Sequence, residues 1–148
     1  KPLAAVFKRA HYDLNRPGQM HVQAALAEFI DMGHFAAALR KARQSYGLRR
    51  QCLLNALQPC LGQQAYISGA EQGLHLCLRL PDTMDDLALA QQLQHMGMVV
   101  RPLSKYCLSR KDLKGLVIGY GFAPLAAIEH FGPLMAQMLS GVLQVYKA

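Results

Sequence analysis

The sequence lacks several of the patterns that identify common classes of protein. Its 148 residues include no tryptophan and only nine acidic side chains. No run reaches the roughly 18 apolar residues that a membrane-spanning helix needs, and no signal-peptide pattern opens the chain. These features predict a cytoplasmic protein with no part in a membrane.

Patterns for catalysis and metal binding are also lacking. The sequence contains no glycine-rich phosphate loop followed by lysine and serine or threonine, and no nucleophile elbow. Asp85 and Asp86 open a predicted helix, where adjacent acids favour the helix dipole rather than face one substrate. The four cysteines have neither zinc nor dithiol spacing, and His75 with Cys77 supplies only two ligands on one strand face. We therefore predict no catalytic residue and no metal site.

The composition that remains is apolar and basic. Hydrophobic residues make up 52% of the chain and charged residues 17%, which favours a surface that contacts another protein or domain. The net charge of +7 permits binding to a polyanion. The basic cluster at residues 40–50 falls within one predicted helix, where a solvated face is the simpler interpretation, and no aromatic residues are interleaved with it. A free-standing domain that binds nucleic acid directly stays open as an alternative.

Apolar spacing of three and four residues predicts the helices. They cover residues 1–12, 20–32, 34–57 and 85–96, and a last helix begins near residues 123–124. Gly33 and Gly97 are predicted to end helices, and Pro59 with Gly62 is predicted to end the third helix. Residues 15–18 are predicted to form a turn. Gly47 is expected to weaken the third helix, because glycine has a low helix propensity. Pro133 lies inside the last helix, so we expect a kink or two shorter helices there.

Four short segments have the composition of strands. They are residues 65–67, 74–80, 99–102 and 116–118, and Pro102 indicates a sheet edge or a strand end. The predicted fold class is α+β, with a small, mostly antiparallel sheet of three to four strands covered by helices. We divide the chain into connecting helices at residues 1–62 and an α+β unit at residues 63–148.

Three of these segments carry a family resemblance. They are Gly-Leu-His-Leu at 73–76, Val-Arg-Pro-Leu-Ser at 100–104 and Gly-Leu-Val-Ile-Gly-Tyr at 115–120, with the helix at 85–96 between the first two. Their order resembles the small C-terminal domain of pyridoxal-phosphate enzymes of the aspartate aminotransferase type (fold type I). The residues of these segments are most similar to those of the aminotransferase-like effector domain of MocR-type, GntR-family bacterial transcription regulators.

The resemblance implies a larger, homodimeric parent protein. A DNA-binding module and a large domain that holds pyridoxal phosphate would precede residue 1, so the cofactor belongs to the parent and none is expected on this part. DNA would be contacted only through the parent, and a small amino compound would be the effector. The chain would then be a non-catalytic, effector-sensing small subdomain. The alternative is the small domain of a working pyridoxal-phosphate-dependent aminotransferase.

The resemblance also implies positions for a site. Val117 aligns with the strand arginine that grips the substrate carboxylate in the transferases, and a valine offers no donors for that role. Ser104 and Tyr106 align with a loop that lines the cofactor cleft, so these three residues are expected in the substrate-pocket wall. His21 and Gln23 are expected to face the cofactor phosphate of the partner subunit.

Overall fold

Five helices and four strands form the described part of the chain, which in this computed structural model is residues 2–15, 18–61, 65–68, 73–110 and 112–145. The helices are α1 (Pro2–Asn15), α2 (Met20–Asp31), α3 (His34–Leu57), α4 (Asp86–His95) and α5 (Leu125–Val145). The strands are β1 (Tyr66–Ser68), β2 (His75–Leu80), β3 (Arg101–Pro102) and β4 (Lys114–Gly119), and short 3-10 turns lie at Gln58–Cys60 and Leu103–Tyr106. The chain divides into two compact units, residues 1–43 and 44–148.

In the first unit, Gly33 separates α2 from α3. Its φ angle of 78° is in the left-handed region that glycine adopts without strain, which ends α2 where the sequence predicts. The rings of Phe29 and His34 lie across this junction with their centroids 5.5 Å apart. The helices predicted at residues 20–32 and 34–57 are confirmed. The turn predicted at residues 15–18, like the helix stop predicted at Gly62, lies partly or wholly outside the described residues.

In the second unit, four antiparallel strands form one sheet in the order β1-β2-β4-β3. Side chains of β2 alternate between buried leucines and half-buried or exposed polar residues, because successive side chains of a strand point to opposite faces. β3 ends at Pro102 and lies at the sheet edge, where a residue without an N–H breaks no ladder hydrogen bond. The predicted α+β fold class, with a small antiparallel sheet, is confirmed.

Leucines dominate the core of the second unit. One sheet face contributes Leu76, Leu78 and Leu116, which are fully buried. They belong to one cluster with fully buried leucines of three helices, namely Leu57 of α3, Leu93 of α4 and Leu139 of α5. Burial of each such side chain stabilises the fold by about 1.5–3 kcal/mol. The other sheet face carries the half-buried and exposed residues, and it is the face considered below.

α5 runs through Pro133 as one helix, so of the two expected outcomes, a kink or two shorter helices, the second is wrong. Proline lacks one backbone donor, yet buried Ile128 before it and buried Met135 after it hold both halves in the same core. Gly132 allows α5 to approach α3, because a Cβ at this position would lie 3.0 Å from that of Ala56. Within the described residues, no helix, α5 included, is both long and apolar enough to cross a membrane.

Candidate functional site

β4 presents Val117 on the sheet face opposite the core. Its neighbours Leu116 and Ile118 are buried, whereas Val117 is half-buried. Val117 lies directly opposite Cys77 of β2 and Arg101 of β3. Side chains directly opposite each other in an antiparallel pair share one face. Position 117 itself therefore offers no hydrogen-bond donor from its side chain, and an arginine lies beside it on the neighbouring strand.

Ser104 lies in the 3-10 turn after β3, where both of its donors are directed to Asp86 of α4. The hydroxyl donates to Asp86 Oδ1 at 2.7 Å and the backbone N–H donates to Oδ2 at 2.9 Å. The backbone N–H of Gly115 also donates to Oδ2, at 3.2 Å, and Lys114 Nζ lies 3.9 Å from Oδ1. A fully buried carboxylate requires such partners, and these connect α4 to the turn and to β4.

The role of Asp86 was missed by reading the sequence. Its neighbour Asp85 is the N-cap of α4, since its Oδ1 accepts the N–H groups of Leu87 and Ala88 at 3.0 Å each. This capping agrees with the expectation that acids open the helix. Asp86 instead points into the protein, toward groups 18 and 29 residues later in the chain. No local spacing signals such a contact.

A cleft lies between α4 and residues 99–106, and we call it the α4 cleft. Its volume is about 470 Å³. Tyr106, one of the predicted pocket residues, lines this cleft, whereas Ser104 and Val117 are not in its lining. The α4 side consists of Leu87, Ala90, Gln91 and Gln94, and the other side consists of Val99, Val100, Arg101, Pro102, Lys105 and Tyr106.

The start of β2, the end of β4 and α3 meet through three hydrogen bonds. The phenol of Tyr120 donates to the carbonyl of Gly73 at 2.7 Å, and the Tyr120 N–H donates to the carbonyl of Leu74 at 3.0 Å. Arg49 of α3 donates from Nη1 to the carbonyl of Gly121 at 2.6 Å. The segment at residues 73–74 is therefore connected to α3 through two adjacent residues of one loop.

His21 and Gln23 lie in the first turn of α2, and both side chains are exposed. The backbone N–H of Gln23 donates to the carbonyl of Gln19 at 3.0 Å, which begins the helix. Both residues belong to the first unit of the chain, whereas Ser104, Tyr106 and Val117 belong to the second. Their orientation toward a partner subunit stays a prediction.

Cys60 and Asp112, which lie outside these contacts, both have a shifted pKa. Burial raises the pKa of the Cys60 thiol, although hydrogen bonds, including one with Ser140, oppose the effect. The guanidinium of Arg110 lowers the pKa of the exposed Asp112 carboxyl to about 2, mainly through its hydrogen bonds. The described residues contain no group of three histidine, cysteine or acidic side chains placed to hold a metal ion.

Comparison with known proteins gives no match to a protein-family model but does give sequence relatives. The chain is 29% identical over 151 residues to the probable rhizopine catabolism regulatory protein MocR of Rhizobium meliloti, a match that covers 99% of the chain and 31% of that protein. It is 31% identical over 101 residues to the HTH-type transcriptional regulator YhdI of Bacillus subtilis, covering 68% of the chain and 22% of that protein. The chain is thus similar to one part of MocR-type, GntR-family regulators, and we call it the MocR-type domain.

Fold comparison shows which known architecture the MocR-type domain adopts. The kynurenine aminotransferase of Pyrococcus horikoshii superposes on it with a TM-score of 0.80 at 16% identity, over 95% of this chain and 35% of that one. Such low identity establishes the fold alone, and that fold is the aminotransferase small domain that the sequence resemblance implies. The chain spans less than a third of the length of the two regulators compared above.

The α4 cleft and a second cavity of the MocR-type domain do not fit pyridoxal phosphate by themselves. The cofactor needs a lysine for its aldehyde and a phosphate cup of hydroxyls or helix N-termini. A second cavity, of about 190 Å³ between α3, α5 and the end of β4, is lined by apolar residues, glycines and Tyr120, with no lysine. The α4 cleft contains Lys105 but no serine or threonine in its lining. We therefore assign no step of cofactor chemistry to this domain.

Proposed function

We propose that the chain is the effector-contacting small domain of a pyridoxal-phosphate-binding, aminotransferase-like transcription regulator. The observation that carries this proposal is the similarity to a MocR regulator along 99% of the chain, combined with the fold of an aminotransferase small domain. The name of that relative describes a regulatory protein, whereas the structural neighbour is an enzyme. The chemistry at position 117 favours the regulator.

Val117 supports a sensing role rather than transamination. A two-bonded grip on a substrate carboxylate requires a planar guanidinium, and a valine has no donor with which to form it. The half-buried valine lies on the same sheet face as Arg101, so a ligand at position 117 would meet an apolar side chain there, and the nearest guanidinium is on the neighbouring strand. A working aminotransferase that relies on this strand arginine is therefore the weaker of the two candidates.

Effector binding is proposed to act by closing this domain against a large domain of the same protein. Arg49 supports this proposal, because its bond to the Gly121 carbonyl connects α3 to the loop that also holds residues 73–74. A shift of this loop on ligand contact would move α3, and α3 continues into the first unit of the chain. In this proposal the helices at residues 1–62 connect the α+β unit at residues 63–148 to the large domain.

The other partners of the chain are proposed from its resemblance to the same family. The parent would be a homodimer with DNA-binding modules, and His21 and Gln23 would face the cofactor phosphate of the partner subunit. The exposed apolar side chains of α2, Val22, Leu26 and Phe29 among them, support contact of this helix with another part of the assembly. DNA would be contacted by the modules rather than by this chain.

The test uses the full protein that carries this chain. Pyridoxal phosphate binding is measured by visible absorption, and DNA affinity is then measured with and without a panel of amino acids and simple amines. We expect at least one amino compound to change both signals, without catalytic turnover. Tyr106→Phe should weaken that response, whereas Tyr66→Phe should not, because both tyrosines are similarly exposed, at 58% and 56%, and only Tyr106 lies in the aligned loop. Steady turnover of amino and keto acids would instead establish the aminotransferase.

A further inference from the structure

The α4 cleft contains two cations that have no partner. Arg101 and Lys105 both line it and both are exposed. Within the described ranges of the chain, neither side chain makes a hydrogen bond or an ion pair. Positive side chains that converge on a concave surface raise the local concentration of anions. The two cations therefore make this cleft attractive to a negatively charged group.

No acidic side chain is among the described residues that line the cleft. The acids that adjoin the α4 lining residues in sequence are Asp85 and Asp86, at the start of α4. Asp85 accepts two backbone N–H groups as the helix cap, and Asp86 is fully buried with its oxygens bonded to Ser104 and Gly115. Since neither residue is in the lining and both carboxylates are bonded to other groups, neither acid of α4 forms an ion pair with the two cations of the cleft.

The backbone that carries the two cations is held in place. Arg101 is paired with β4, and Lys105 follows Ser104, whose hydroxyl and N–H both bond to buried Asp86. The backbone positions that carry the two cations are thus held to the sheet at one end and to α4 at the other. A site whose supporting residues are already bonded needs less ordering when a ligand binds.

The other lining residues define the rest of the ligand. Gln91 and Gln94 lie three residues apart on α4, which places them on one side of the helix, and their amides both donate and accept hydrogen bonds. Leu87, Val99 and Pro102 form an apolar part of the wall. The volume of about 470 Å³ lies within the usual range of small-molecule sites. The lining therefore combines an anion-binding side with an apolar side.

We propose that the α4 cleft binds a small organic oxyanion, with its carboxylate or phosphate between Arg101 and Lys105 and its apolar part against Leu87 and Val99. The planar guanidinium of Arg101 can donate two parallel hydrogen bonds to such a group, and the ammonium of Lys105 adds a compact charge. The proposal depends only on the residues of the cleft. It holds whether or not Tyr106, which also lines the cleft, takes part in a response to an amino compound.

The test compares three probes that share a phenyl ring, namely benzoate, phenyl phosphate and the neutral benzamide. Binding to the full protein that carries this chain is measured by calorimetry, with and without pyridoxal phosphate. We expect at least one of the two anions to bind about tenfold or more tightly than benzamide, since bonds to charged groups are of that magnitude. Benzoate and phenyl phosphate distinguish a carboxylate ligand from a phosphate ligand. Added salt should weaken the binding of the anion.

Two double variants test whether the anion binds in the α4 cleft. Arg101→Gln with Lys105→Gln should lower anion affinity about tenfold or more, whereas Lys41→Gln with Arg43→Gln, two exposed cations of α3, should change it less than about twofold. The two double variants remove the same charge, so they separate a local site from general attraction. Equal binding of benzamide, or equal losses in the two double variants, would overturn the proposal. Either result leaves the proposed response to amino compounds untouched, because that response is read from absorption and DNA affinity.

Discussion

Arg49 of α3 donates from Nη1 to the carbonyl oxygen of Gly121, a residue 72 positions later, at 2.6 Å. The guanidinium also lies over the ring of Tyr46, 5.6 Å from its centroid. One half-buried side chain thus connects the long helix to the loop after β4. In that loop, Tyr120 in turn holds Gly73 at the start of β2.

Replacement of Arg49 by alanine should destabilise the second unit. A hydrogen bond from a charged donor contributes about 1.5–3 kcal/mol, and the half-buried position lowers the expected loss toward about 1–2 kcal/mol. Urea unfolding of the variant measures this loss. Arg43→Ala is the control, because Arg43 is exposed on the same helix and should cost less than about 0.5 kcal/mol. Equal effects of the two variants would mean that the bond to Gly121 contributes nothing.

Asp86 and Ser104 should be energetically coupled. Asp86→Asn replaces one buried acceptor oxygen by a donor that faces N–H groups or a hydroxyl, so we expect a loss of about 2–4 kcal/mol. Ser104→Ala removes only the hydroxyl and should cost about 1–2 kcal/mol. The free energies of unfolding of the two single variants and the double variant form a cycle, with an expected coupling of about 0.5–3 kcal/mol. Simple additivity would show that the observed bonds do not act together.

Replacement of Gly115 and of Gly47 by alanine should change the stability of the protein in opposite directions. A Cβ at Gly115 would collide with the backbone carbonyl oxygen of Leu78, which cannot move without breaking the β2-β4 pairing. We expect Gly115→Ala to cost more than about 2 kcal/mol. Gly47 lies inside α3 with open space around its Cα, so alanine should stabilise that helix by about 0.5–1 kcal/mol. Thermal unfolding midpoints of both variants check the prediction, and a stable Gly115→Ala protein would contradict the close contact.

The carboxyl of Asp112 should have an unusually low pKa. Its side chain accepts hydrogen bonds from Arg110 at 2.8 and 3.1 Å from Nε, and this pairing lowers its pKa to about 2. Because the folded pKa lies below the ordinary value of 3.8, the pairing favours the folded state above that pH and is lost as the pH falls toward 2. Arg110→Gln should return the pKa toward 3.8. A side-chain carboxyl NMR titration measures both values, and identical titrations of the two proteins would refute the role of Arg110.

Local patterns were sufficient to predict the elements of this fold. Gly33 and Gly97, with φ angles of 78° and 85°, end α2 and the turn after α4 where the sequence places helix stops. The alternation in β2 reports which side chains are buried, because a strand has a period of two. At Pro133, where the local pattern allows a kink or two shorter helices, packing on both sides keeps α5 a single helix. Helix and strand signals depend on residues that are close together in the chain, so a single sequence is enough to recognise them.

The candidate site was less accessible to sequence reasoning. Ser104 and Tyr106 were placed in one loop by resemblance, and the structure puts them in one 3-10 turn, but it directs the Ser104 hydroxyl to Asp86. The bonds of Asp86 and Arg49 join residues 18 to 72 positions apart, and no spacing encodes them. The α4 cleft likewise exists only once α4 packs beside β3. Whether His21 and Gln23 face a partner stays a prediction.

The most direct test of the central claim is hydrogen–deuterium exchange of the full, cofactor-loaded protein with and without an amino compound that changes its DNA affinity. The account predicts slower exchange at residues 73–74, 103–106 and 116–121, where the loop, the turn and β4 meet, because an effector in contact with this domain would hold them closed. Unchanged exchange throughout residues 44–148, with protection confined to the rest of the protein, would contradict it.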